Sequence, residues 1–173
     1  MAMIQAPQRA SVAFMRRHPA HWIALGFGSG LSPKAPGTVG TLWAWVAFLV
    51  LDRWLDAVGW GLVIGASIAV GVWACARTAQ DLSLADPGAI VWDEIVAFWI
   101  VLWLLMPAGF VAQAVAFALF RFFDAAKPGP VGVVDKRFKS ARGWMQGVGI
   151  LADDLVAALC TLLVIAAWRF VFP

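Results

Sequence analysis

Residues 89–106 read AIVWDEIVAFWIVLWLLM, an apolar run whose only charges, Asp93 and Glu94, stand together near its start. As a helix rising about 1.5 Å per residue, such a run nearly matches the ~30 Å hydrocarbon core of a bilayer. Four more apolar stretches accompany it, at roughly 38–55, 58–76, 108–123 and 148–172. Breakers part them: Asp52-Arg53 with Asp56 and Gly59, then Asp81 to Gly88, then Pro107 to Gly109, then a long polar stretch from Asp124 to Gln146. The pattern predicts an all-α membrane protein, a bundle of about five transmembrane helices forming a single domain over residues 1–173. Gly61, Gly65 and Ala69 recur every four residues and predict a small-residue face for close helix packing.

Composition agrees. The chain has 173 residues, 62% hydrophobic and only 13% charged, against about a quarter charged in an ordinary soluble domain. So short a chain cannot bury that much apolar surface within itself. Eleven Trp and 12 Phe without a single Tyr, and a mean hydropathy of +0.83, point to the bilayer as the main solvent. A disordered linker, a disulfide scaffold and a water-soluble nucleic-acid reader are excluded, so no nucleic-acid partner is expected. Cys75 and Cys160 lie in apolar runs and read as inert buried thiols, and His18 and His21 lack metal-ligand spacing.

The first 37 residues differ. Val12, Phe14 and Met15 beside Arg9, Arg16 and Arg17 predict a short helix on the membrane surface. The stretch from Trp22 to Gly40, broken by Gly26, Gly28, Gly30, Pro33, Pro36 and Gly37, predicts a re-entrant glycine-rich loop instead of a crossing. With the N-terminus in the cytoplasm, eleven of the 13 Lys and Arg fall inside, and only Arg53 and Arg169 fall outside. That bias sets the orientation, and it makes the basic balance a topology signal.

The same orientation brings acids together. Asp93 and Glu94 open the third stretch, Asp124 closes the fourth, and Asp153 and Asp154 lie near the start of the fifth. Five of the ten acids thus share one depth on three helices. Charge in apolar sequence is costly and rarely accidental. Hard oxygen ligands without His or Cys suit Mg2+ or Mn2+. Asp52, Asp56, Asp81 and Asp135, by contrast, read as neutralising Lys and Arg at helix ends. Arg121, Asp124 and Lys127, spaced by three, share one helix face and offer a guanidinium fork, a carboxylate and a point charge. Pro128 predicts that the fourth helix ends at Lys127. The glycine-rich loop could turn backbone N–H groups to a phosphate, and Thr38 reads first as an N-cap and second as a substrate contact.

These residues also form a pattern. Gly37-Thr38-Val39-Gly40, Asp86-x-Gly88-x-Ile90-Val91-x-Asp93-Glu94, Arg121-x-x-Asp124-x-x-Lys127-Pro128-x-Pro130 and Asp153-Asp154 resemble the phosphatidylglycerophosphatase A family, from about His21 to Ala157. The resemblance implies a Mg2+-dependent lipid phosphatase of the bacterial inner membrane, converting phosphatidylglycerophosphate to phosphatidylglycerol and phosphate at the cytoplasmic face. No Cys-x5-Arg loop or Asp-x-Asp pair is present, which leaves metal-activated water. The expected machinery is Glu94, Asp124, Asp153 and Asp154 around Mg2+, with Asp93 as general base. Arg121 and Lys127 would neutralise the phosphate, helped by Lys34, Thr38 and the Gly37 backbone. The rival reading is a small cation transporter, whose acids belong nearer the midplane on broken helices.

Overall fold

The computed structural model describes residues 9–172, which fold into helices and connecting turns with no strand among the described residues. In chain order the helices are α1 (Val12–Met15), α2 (Pro19–Ala24), α3 (Pro36–Leu51), α4 (Ala57–Leu82), α5 (Trp92–Leu105), α6 (Phe110–Ala126), α7 (Pro130–Phe138) and α8 (Trp144–Val171). A 3-10 segment, Gly26–Leu31, joins α2 to the turn before α3.

Local chemistry sets the ends. The Asp56 carboxylate accepts the Gly59 N–H at 2.7 Å and caps α4. Pro36, with φ already fixed and no N–H to lose, opens α3, so Thr38 lies inside the first turn and is not its cap. The fourth apolar stretch does end at Lys127, which takes a left-handed conformation (φ 44°) before Pro128.

All five apolar stretches are helical, but they are unequal. Among the described residues, two helices, α4 and α8, are long and apolar enough to cross a membrane on their own. The run quoted above yields α5, a helix of 14 residues, with nine of them buried. Beyond the two acids of its first turn it is apolar all round, and it is wrapped by protein, against α3, α4, α6 and α8. Its indoles anchor the wrapping: Trp92 Nε1 donates to the Ser67 carbonyl at 3.0 Å and Trp99 Nε1 to that of Ala44 at 2.9 Å. Beside them Phe48 stacks on Trp60 with ring centres 4.2 Å apart.

Close packing does not follow the expected stripe. Gly65 and Ala69 are exposed, and a side chain on Gly65 would meet nothing. The tight approach is between α4 and α8, where a Cβ on Gly147 would run into the Val72 carbonyl. The N-terminal segment also turns inward. Residues 1–8 of the expected surface helix lie outside the described residues, but Phe14 and Met15 of α1 are buried against Leu25 and Leu82. Next to them His21 is buried, its Nδ1 2.9 Å from Thr78 Oγ1 and its Nε2 3.3 Å from Asp81. Burial lowers the His21 pKa below its ordinary value, against the pull of Asp81.

The glycine-rich segment lies on the start of α5. Val91 N–H donates to the Ala24 carbonyl at 2.9 Å, and Phe27 and Gly28 take positive φ to make the bend. Two short helices were not expected: α2, whose last turn falls within the expected loop, and α7, which forms within the polar stretch and packs on α8.

Candidate active site

The start of α3, the start of α5, the end of α6 and the first third of α8 converge at one end of the bundle. Between them lies a cavity of about 280 Å³ lined by Gly37, Asp86, Asp93, Glu94, Arg121, Asp124, Lys127, Asp153 and Asp154, among others. Six carboxylates thus face two cations. Such an excess in a recessed site calls for a further positive charge.

The carboxylates divide by partner. Asp124 is tied to Arg121 one turn back on α6, and the same guanidinium lies 3.7 Å from Glu94 Oε1 and 3.4 Å from Thr41 Oγ1. Thr41 is itself fixed by donating to the Gly37 carbonyl at 2.8 Å. Gly37 has no side chain for a reason: a Cβ there would strike the Glu94 carboxylate and lie 3.0 Å from the Arg121 guanidinium. Asp153 is tied to Lys127, whose ammonium donates to Asp153 Oδ2 and to Asp135 Oδ1, both at 2.5 Å. Burial works against the Lys127 charge, but these two hydrogen bonds outweigh it and raise its pKa above the ordinary lysine value.

Of the four carboxylates not hydrogen-bonded to a cation, Asp93, Glu94 and Asp154 cluster. Each offers one carboxylate oxygen within 4.8 Å of the others. Asp93 Oδ1, Glu94 Oε2 and Asp154 Oδ2 are buried with no hydrogen-bond partner. Buried acceptors without donors are costly, and three converging hard oxygens fit a Mg2+-like ion.

The structure therefore brings together Asp93, Glu94, Asp124, Asp153, Asp154, Arg121, Lys127 and Gly37. It regroups them: Asp93 joins the candidate ligands, whereas Asp124 and Asp153 are engaged by cations. Lys34 is exposed, and neither it nor Thr38 lines the cavity. Three residues were missed as site residues. Asp86 lines the cavity, Thr41 steadies Arg121, and Asp135 does neutralise a lysine at a helix end, but that lysine is Lys127. Asp86 stood within the quoted motif. Thr41, one turn beyond Thr38 on the same helix, was open to the same reasoning. Asp135 read only as a helix-end partner, and nothing pointed it to Lys127, because its helix was not foreseen.

Fold and site define an apolar helical protein with a charged, carboxylate-rich pocket at one end of its bundle. Residues 22–169 match the family described as Phosphatidylglycerophosphatase A, and the chain belongs to that family, whose named members are phosphatases. It is 38% identical to the Phosphatidylglycerophosphatase A of Escherichia coli (strain K12), over 88% of this chain and 87% of that one. The protein of the same name from Haemophilus influenzae is 35% identical, over 88% and 90%. A Bacteroides thetaiotaomicron protein provisionally named phosphatidylinositol-3-phosphatase is 39% identical, over 86% and 92%. No solved structure matches the chain.

Proposed function

We propose that the chain hydrolyses phosphatidylglycerophosphate to phosphatidylglycerol and inorganic phosphate, with Mg2+, at the cytoplasmic face of the bacterial inner membrane. The observation that carries this reading is the trio of unpartnered buried oxygens on Asp93, Glu94 and Asp154, facing Arg121 and Lys127 across one cavity. The family supports the substrate, and the transporter reading has no such support.

Asp93, Glu94 and Asp154 would hold the ion, with Asp124 and Asp153 behind them. When bound, Mg2+ supplies Lewis acidity, acidifying water and offsetting charge on the leaving oxygen. Arg121 would present its fork to the phosphate oxygens while Asp124 and Thr41 fix its plane. Lys127 would add a point charge at the rim. Gly37, lacking a side chain, lets the Glu94 carboxylate and the Arg121 guanidinium lie against the first turn of α3, where its backbone would border the phosphate. Asp93 has two carboxylate oxygens, and we assign one to hold the ion and the other to take the proton of the attacking water. As the phosphorus–oxygen bond to glycerol breaks, that proton passes to the leaving alkoxide.

The membrane part of the proposal has five crossings, α3, α4, α5, α6 and α8, with the N-terminus in the cytoplasm. A band of exposed apolar side chains supports it, among them Leu42, Val46, Leu62, Val70, Val111, Val115, Leu159 and Leu163. At 26 and 28 residues, α4 and α8 reach ~39 and ~42 Å, whereas α5 reaches only ~21 Å. Short helices between long ones leave a depression. Asp154 lies ten residues beyond Trp144, about 15 Å below the tip of α8, where a headgroup phosphate can meet it.

The test is phosphate release by the purified chain from phosphatidylglycerophosphate and from phosphatidylinositol 3-phosphate, each in mixed micelles. Faster turnover of the first lipid is expected. Preference for the second would move the substrate assignment toward the Bacteroides relative's name.

A further inference from the structure

We propose that Asp135 is a positioning residue for phosphate binding, holding the Lys127 ammonium at the mouth of the cavity; this rests on the phosphatase reading above. Lys127 Nζ lies 2.5 Å from Asp135 Oδ1 and 2.5 Å from Asp153 Oδ2, so α6, α7 and α8 meet at a single ammonium. A lysine side chain has four rotatable bonds, and one carboxylate fixes its reach without fixing its direction. Two carboxylates on different helices fix both. An ammonium has three N–H donors, so one is left for an incoming anion.

The element that carries Asp135 is built to stay in place. Lys127 (φ 44°) passes through Pro128-Gly129 into Pro130, the first residue of α7. A Cβ on Gly132 would lie 2.6 Å from the Lys127 carbonyl oxygen, so the first turn of α7 sits on the backbone of the residue it serves. At its far end Phe138 packs where Gly149 of α8 has no side chain, and Val131 is buried between. Lys136 and Arg137, on the same helix, are exposed and make no ion pair among the described residues. Asp135 is the acid on α7, and its geometry is spent on Lys127.

A double-mutant cycle tests this with purified full-length protein and phosphatidylglycerophosphate micelles. Asp135→Asn should raise KM about tenfold and leave kcat within about twofold, because it frees a binding group without touching the reacting atoms. Asp135→Glu should recover most of the loss, and Lys136→Ala should behave as wild type. In a Lys127→Ala background, Asp135→Asn should add nothing, since its effect passes through that ammonium. An unchanged KM in Asp135→Asn, or an equal loss with and without Lys127, overturns the assignment while leaving the phosphatase reading intact. If Asp135→Asn unfolds, as judged by its thermal midpoint, Asp135→Ser carries the same cycle. If both unfold, Asp135 is structural and the proposal fails. A wild-type chain that releases no phosphate from this lipid takes both readings down together.

Discussion

A carboxylate oxygen buried without a donor destabilises the fold unless a ligand satisfies it, and each of the clustered Asp93, Glu94 and Asp154 carries such an oxygen. Asp93→Asn, Glu94→Gln and Asp154→Asn keep the shape and remove the charge. Each should cut phosphate release by at least ~10²-fold, because each removes a member of a preorganised charged site. Binding of Mn2+, followed by electron paramagnetic resonance, should weaken in the same three variants; equal binding would remove them as ligands. Most of the candidate site was legible in the sequence, because acids in apolar stretches declare themselves by their cost. The division of labour was not. Spacing along α6 placed Arg121, Asp124 and Lys127 on one face, but which acid a cation takes depends on neighbours from other helices. Arg121 pairs with Asp124, and Lys127 pairs with Asp153 and Asp135, and these choices are made only in three dimensions.

At the scale of elements, apolar runs foretold the helices and misjudged their company. An unbroken apolar helix can be wrapped by lipid or by protein, and hydropathy does not distinguish the two. Four helices around α5 do. The stripe of Gly61, Gly65 and Ala69 had the right spacing on the wrong face, since the contact that needs small residues is at Gly71 and Gly147. A Cβ on Gly71 would sit 2.7 Å from the Trp92 ring, and one on Gly147 would meet the Val72 carbonyl. Gly147→Ala should therefore force α4 and α8 apart and lower stability by about 1–3 kcal/mol. Gly65→Ala, with open space around it, should be neutral or slightly stabilising through its better helix propensity. Thermal unfolding in one detergent compares the two, and equal shifts would contradict the assigned interface. Helix α7 escaped notice because it is only nine residues long, has Pro130 and Gly132 in its first turn and ends on three consecutive charges and Phe138, with Val131 its single buried residue.

For the whole molecule, two long apolar helices and several shorter ones carry a charged cavity at one end of the bundle, an arrangement that suits the proposed work at a lipid boundary. The five proposed crossings, with a cytoplasmic N-terminus, would carry the chain's end to the far side. A reporter fused after Pro173 should be active outside the cytoplasm, and activity inside would remove one crossing, most directly that of α6. Of everything proposed, the link between the carboxylate trio and lipid phosphate hydrolysis matters most. It is tested most directly by phosphate release from phosphatidylglycerophosphate with Mg2+ present, after chelation, and after Mg2+ is restored, for the wild-type chain and Asp154→Asn in parallel. The account predicts wild-type activity that vanishes on chelation and returns with Mg2+, and none under any condition in the variant. Full wild-type activity in the chelated sample, or an active Asp154→Asn, would contradict it.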